Sequence, residues 1–500
     1  MPRSTEGFQW TPTSTTVGLE TASVVPSTPE PAIRPFYDAI VIGTGYAGLI
    51  AARDISIAHG PNVLLLDARD RIGGRTWTAA ALGENFEMGG TWIHWNQPHV
   101  FAQLQRYNLH KTIKTSNGTL APEKAFWKFA TGVVKELNVQ DLNASLERIG
   151  NAFFSPDGYT SRDLMPYPHD PFRDPALWTR YDDLSIKDRL DQISAVGTEE
   201  DKAYFETMMN TIGSAPGTDI SFTEPLRWYA LGGHTVAGMF EIIETFKLGG
   251  GGQTALARGI LGEYRGHLRL NTVVERVEQG KKGVEVTAKD GKVFKAKWVV
   301  CTIPLNVLSD IAFSPPFSPL RQEAIVRGHM NRGAKFHFKL DAPLKPWLAI
   351  ADAYGSSPFV LSFSDHNGTG ENSGSGNYAI GFGYNGHLGT REDAEHVVSA
   401  FKNMRPATGN GPGADVDVAA YLTHDWVNDP FSKGAWSTWG PGDMTKYLAE
   451  LQKDHGRVLM ASADWAEGWR GFIDGAIERG VVAAKEVVAR LAGEGEGAKL

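Results

Sequence analysis

The chain has 500 residues, 42% of them hydrophobic and 21% charged, which is too long for one core and is ordinary for a soluble protein of two or more domains. A formal net charge of -8 gives no electrostatic footing for a nucleic-acid partner. Cys301 is the only cysteine, which excludes an intramolecular disulfide and any multi-cysteine metal or iron–sulfur site; no metal site is expected.

Residues 1–36 are rich in Ser, Thr and Pro and carry no apolar signal-peptide core, so they are expected to form a flexible arm. The stretch YDAIVIGTGYAGLIAARD follows. Asp38 to Ile42 predicts a buried strand, and Gly43, Gly45 and Gly48 stand at GxGxxG spacing before a helix with apolar positions at Leu49, Ala52 and Ile55 and a stop near Gly60. A second apolar run, Val63 to Leu66, ends in Asp67. Gly43 permits the tight turn, Gly45 lets a pyrophosphate approach the backbone, and Gly48 lets helix and strand pack closely. The helix N-terminus offers free N–H groups to the anion, and an acid at Asp67 suits ribose hydroxyls. That much leaves NAD and FAD equally open. Gly73 and Gly74 beside Arg75, and Gly89 and Gly90 further on, repeat the glycine device, which favours a larger cofactor lying extended, FAD.

Further along, DKAYFETMMNTI predicts a helix, and the Gly249–Gly252 cluster precedes another starting near Thr254. Alternation from Val274, with turns at Gly280 and Gly291, predicts a β-meander running into Cys301. His366 to Gly383 reads as a Gly/Ser/Asn surface loop. Gly475 to Ala492 reads as an amphipathic helix through Ile477, Val481, Ala484, Val488 and Leu491. Residues 493–500 are expected to be a flexible tail ending in Ala498-Lys499-Leu500, a variant of the peroxisomal address for an import receptor. No apolar run reaches the roughly 18 residues of a membrane span.

VIGTGYAGLIAARD, LLLDARDRIGGRTWT, EMGGTWIHW, VVCTIPLNVL and DWAEGWRGFIDGAIERG together resemble the flavin-containing amine oxidases, and among them most the soluble fungal monoamine oxidases. The resemblance implies an α/β (α+β overall) fold: a Rossmann-type FAD domain from residues 37–125, 247–334 and 440–492, and a mixed sheet-and-helix substrate domain from 126–246 and 335–439. It implies cofactor contacts at Gly43, Gly45, Tyr46, Ala47 and Gly48, then at Asp67, Ala68 and Arg69. Further contacts fall at Gly73, Gly74, Arg75, Gly89, Gly90, Thr91 and Trp92. The remainder are Val274 near adenine, Asp464 in the Ser462-Ala463-Asp464 turn, and Ile473 opening the last helix.

By the same resemblance, Trp436 and Phe472 form an aromatic cage where a neutral amine meets the flavin, and Lys335 holds a water that assists reoxidation. Ala435 stands where the mitochondrial enzymes carry a flavin-linking cysteine, so FAD is expected to be non-covalent. The implied reaction moves a hydride from the amine α carbon to flavin N5. Reoxidation by O2 gives hydrogen peroxide and an imine, which hydrolyses to aldehyde or ketone and ammonia. Polyamine or L-amino-acid oxidation is the alternative; an FAD desaturase, a dehydrogenase or a non-catalytic flavoprotein stands further off. The family also implies a homodimer or tetramer. His94, His234 and His337 are read as packed or rim residues, not bases, and Arg227 to Met239 as lining either the substrate entrance or a domain interface.

Overall fold

The computed structural model of the chain describes residues 1–365, 377–384, 391–406 and 417–497. Its first apolar run becomes the strand Tyr37–Ile42, which lies parallel to Val63–Leu66 on one side and to Val293–Cys301 on the other. Covered on both faces, Val63–Leu66 and the ends of its neighbours, residues 39–42 and 299–301, are continuous apolar runs, while residues 293–297 alternate. The sheet they centre has eight strands. Its order is His267–Arg269, Val63–Leu66, Tyr37–Ile42, Val293–Cys301, Gly283–Ala288, Val274–Gly280 and Ala312–Ser314, with Val458–Met460 also paired to Val293–Cys301. The meander read from alternation is therefore its antiparallel half.

The helix Tyr46–Ala58 follows the glycine turn and packs along Ile473–Gly497, whose Ile477, Ala484 and Leu491 are buried. Their crossing is close because Gly480 has no side chain: a Cβ there would stand 2.5 Å from the Ala47 carbonyl oxygen. This last helix runs to Gly497, so residues 493–497, expected in a flexible tail, are helical; Ala498-Lys499-Leu500 lie outside the described residues.

The second sheet has nine strands, in the order Ser14–Val17, Phe8–Thr11, Val418–Thr423, Ala334–Leu340, Tyr378–Gly383, Leu361–Asp365, Trp347–Ala351, Lys124–Lys128 and Val134–Leu137. Two expectations change here. Residues 1–36 are not a flexible arm. Phe8–Thr11 adds to the sheet edge at Val418–Thr423, Phe8 is buried, and Glu6 pairs with Arg69 and Arg71. The polar composition that read as disorder supplies specific hydrogen bonds, Ser4 Oγ to Asp70 and Thr21 Oγ1 to the Thr78 carbonyl, both at 2.7 Å. Second, the expected surface loop ends early, because Tyr378–Gly383 is a buried strand; residues 366–376 lie outside the described residues.

The helix Glu199–Gly213 packs on Trp347–Ala351 and Leu361–Asp365 of this sheet, and Thr223–Leu231 packs on Val236–Glu244. Arg227, which opens the segment read as entrance or domain interface, meets the C-terminal segment. Arg227 Nη1 donates to the Gly468 carbonyl at 2.7 Å, and Glu224 pairs with both Arg227 and Arg470 while fully buried. Burial alone would raise the Glu224 pKa, but the two guanidiniums hold it below the ordinary value.

Candidate active site

The C-terminal ends of the parallel strands and the face of the nine-stranded sheet enclose one cavity of about 590 Å³, of the size that small-molecule and cofactor sites occupy. One end is made of backbone. Gly43 turns at φ +108°, where a Cβ would stand 2.3 Å from Thr302 Oγ1, and a Cβ on Gly48 would stand 1.8 Å from the Gly43 carbonyl oxygen. At Gly45 the nearest atom to a Cβ would be Gly74 Cα, 3.9 Å away, so the space beside it belongs to the cavity. Gly45 is also the N-cap of Tyr46–Ala58 and no side chain caps it. Free N–H groups and the positive end of the helix dipole therefore face this space.

The other end is made of side chains. Trp436 and Phe472 both stand on the wall, with Trp92, Ile212, Ile243, Leu361 and Phe382. Trp436 Nε1 donates to the Ile212 carbonyl at 2.7 Å, and Phe472 meets Trp469 edge-on at 5.1 Å. Each ring is thus fixed by its neighbours. Between the two ends Lys335 enters from Ala334–Leu340, its Nζ donating to the Gly89 carbonyl and to Thr91 Oγ1, both at 2.6 Å. Burial depresses the Lys335 pKa despite the nearby Glu87, and burial raises that of Glu87, which accepts from Gln253 N at 2.9 Å.

Residues 46–488 match the family model of flavin containing amine oxidoreductases. The chain belongs to that family. It is 34% identical to the pseudooxynicotine dehydrogenase of a Pseudomonas species over 463 residues, 92% of this chain and 88% of that one. It is 30% identical to the nicotine dehydrogenase of Pseudomonas putida over 454 residues, 90% and 88% of the two. Putrescine oxidase shares the fold at a TM-score of 0.75 and 18% identity, covering 91% of this chain and 99% of that one. Both sequence relatives are bacterial, so the family stands and the narrower fungal placement does not rest on them. The chain is therefore a flavin-dependent oxidoreductase of amines with the two-domain fold of that family.

The residues present fit a flavin dinucleotide: an uncapped helix N-terminus, glycines whose missing side chains leave room, and a cavity continuing from Val274 to the aromatic end. Of the residues read from sequence, all stand on the cavity wall except Gly48 and Asp464. Gly48 does the packing its position calls for. Asp464 lies behind the wall, fully buried, where Oδ1 accepts from Arg75 Nη2 at 2.7 Å and Oδ2 from Leu305 N at 2.8 Å. It is a partner of Arg75, not a group that faces the cavity. Burial raises its pKa, and Arg75 with His329 more than offsets this.

Two other groups also differ from the simple expectation. Asp67 Oδ2 accepts from Thr44 N and Thr44 Oγ1, both at 2.6 Å, and Oδ1 from Arg69 N at 2.8 Å, so its carboxylate holds the loop. The Arg69 guanidinium is bidentate on Asp429, at 2.7 and 2.9 Å, and also meets Glu6. His424 Nε2 completes that cluster on Asp429 at 2.7 Å. Cys301 is buried in its strand and off the wall, with its thiol pushed up to about 11 by burial, while Ala435 is on the wall. His337 contacts the Glu87 carbonyl at 2.7 Å and burial pushes its pKa down to about 3.

Sequence reasoning missed several wall residues. Leu361 and Phe382 are strand positions whose facing depends on register, with Leu361 opposite Phe382. It also missed Glu244, the one acid in the otherwise apolar end of the helix Val236–Glu244 that lines the cavity. A charge closing the run EIIETF was the available signal.

Proposed function

We propose that the chain oxidises a small amine at the carbon bearing nitrogen, with FAD held non-covalently in this cavity and O2 as electron acceptor. The observation that carries the reading is the continuity of the cavity from the uncapped N-terminus at Gly45 to the rings of Trp436 and Phe472. A bound flavin would supply the two-electron acceptor for the hydride and pass the electrons to O2, giving hydrogen peroxide.

The chain's own residues do the rest. Gly43, Gly45, Gly73 and Gly74 admit a pyrophosphate to the backbone, and the helix end neutralises part of its charge. Trp436 and Phe472 present flat neutral walls that orient the amine and keep water away, so that nitrogen can hold its lone pair. Lys335, held by Gly89 and Thr91, is placed to hold a water at the meeting of the two ends. The imine product hydrolyses to aldehyde or ketone and ammonia. Ala435 in place of a cysteine, with Cys301 out of reach, supports non-covalent attachment.

One observation favours a second acceptor: the two relatives above carry the name dehydrogenase. A peroxisomal address rests on Ala498-Lys499-Leu500 alone, and a dimer or tetramer on family habit alone. Deleting those three residues from a fluorescently tagged chain tests the first, and light scattering tests the second.

The reading itself is tested by anaerobic titration of the yellow holoprotein with 2-phenylethylamine, n-butylamine, putrescine, nicotine and an L-amino acid. Bleaching by an amine, colour returning in air, and flavin released by acid are the expected results. Colour returning only with an added electron carrier selects the dehydrogenase reading. No bleaching by any of them overturns the proposal.

A further inference from the structure

Glu244 stands apart from the other acids on the cavity wall. Asp67, Asp310 and Glu275 share the wall with Val274, at the glycine end or beyond it. Glu244 closes the helix Val236–Glu244 beside Ile243, which shares the cavity wall with Phe472 and, like it, packs on the cluster of Leu231, Ile242 and Trp469. Thr245 accepts from Ser116 N at 2.7 Å, and Ser116 Oγ in turn accepts from Trp92 Nε1 at 3.1 Å. These contacts place it at the aromatic end. The residue is 8% exposed. Its backbone carbonyl accepts from Thr119, but among the described residues its carboxyl has neither a hydrogen bond nor an ion pair.

The charged groups on the elements packed around it are engaged with others. Lys247 pairs with Asp365, and Lys114 beside it lies on the far strand Ile113–Thr115. Glu147 accepts from Val236 N and Ala237 N at the opposite end of the helix. Glu224 and Arg227 belong to the interface with Arg470, Glu241 meets His94, and Lys335 is held by Gly89 and Thr91. Burial alone therefore acts on the Glu244 carboxyl, and it pushes the pKa up to about 8. A buried carboxyl without a partner is costly, and such groups concentrate where a ligand completes them.

We propose that Glu244 is the proton acceptor that converts the substrate's ammonium ion to the neutral amine inside the cavity. The proposal rests on the amine-oxidation reading above. In the step, an N–H bond of the ammonium breaks, its electron pair stays on nitrogen as the lone pair, and the proton forms an O–H bond with the Glu244 carboxylate. Nothing is oxidised or reduced. In water the transfer is uphill by about six orders of magnitude, from a pKa of about 10.4 to one of about 4.3. With the acceptor at about 8 the gap narrows to about two orders, and burial of the ammonium narrows it further. A base tuned near the working pH is the arrangement proton transfer favours.

The test compares holoenzyme and Glu244→Gln with the fastest primary amine of the panel above and with its β,β-difluoro analogue, which is about three orders of magnitude less basic, so that a large share of it arrives neutral at pH 7. For the ordinary amine, kcat/KM at pH 7 is expected to fall by about 10²-fold, and the wild-type rise through pH 8 is expected to vanish. For the fluorinated amine the two proteins are expected to agree. Glu244→Leu, which leaves no polar atom buried at the site, should give the same contrast. Equal losses for both amines, no loss for either, or survival of the pH 8 limb in Glu244→Gln would overturn the role of Glu244 while flavin bleaching still upheld amine oxidation. If no amine bleached the wild-type flavin, the amine reading would fail and this role with it.

Discussion

The two ends of the cavity are built from different materials. At the glycine end the functional surface is backbone, exposed because side chains are missing: Gly43, Gly45, Gly73 and Gly74. At the aromatic end it is side chain, brought together from segments far apart in sequence: Trp436 and Phe472 from bends, Phe382 from a strand and Glu244 from a helix end. A backbone site is written in consecutive residues, and its specificity is for a phosphate that any such loop can hold. A side-chain site is written in tertiary structure, and it decides which molecule is oxidised. The first tolerates no added atoms; the second tolerates substitution at the cost of altered chemistry.

Gly48→Ala breaks the glycine end most severely. A Cβ 1.8 Å from the Gly43 carbonyl oxygen cannot be accommodated without moving the loop. The purified variant is expected to carry little flavin and to melt well below wild type. A yellow variant with wild-type Tm would show that the loop is not confined as described.

Lys335 sits where the two ends meet, and Lys335→Met tests which end it serves. The expected outcome is retained flavin and unchanged reduction by amine, with reoxidation in air slowed by about 10²-fold in stopped flow, the scale for loss of one preorganised electrostatic group. Loss of flavin would assign it to the glycine end, and an unchanged rate would make it structural.

Glu244 also bears on stability. The folded-state pKa of Glu244, about 8, lies above the unfolded value of about 4.3. The folded protein therefore keeps a proton that the unfolded chain releases. That stabilisation is complete below about pH 4.3, diminishes as pH rises, and is lost once the folded group itself ionises near 8. Between pH 5 and 8 the Tm of wild type should fall relative to Glu244→Gln; parallel curves would mean that the carboxyl is ionised throughout.

The same division explains what the sequence disclosed. The strand, glycine turn and helix of Tyr37 to Ala58 are contiguous, so spacing alone predicted them, and the meander from Val274 to Cys301 followed from alternation. Residues 1–36 were misread because their order comes from partners far along the chain: Phe8 against Thr423, Glu6 against Arg69 and Arg71. Asp464 was placed correctly in its turn but not in its facing, since Arg75 and Leu305 N claim both oxygens from within the protein. Glu244 was passed over because its burial is supplied by other elements, and the charge after Ile242 and Ile243 was the only local sign of it.

The central claim is that one end binds cofactor and the other selects substrate. The most direct test is a paired measurement of flavin content and anaerobic flavin reduction by an amine in Gly45→Ala and Trp436→Ala. A Cβ at Gly45 clashes with no protein atom and projects into the cavity, so that variant should fold normally and lose flavin. Trp436→Ala should keep its flavin and be reduced far more slowly. Flavin lost equally from both, or Trp436→Ala reduced at the wild-type rate, would contradict the division.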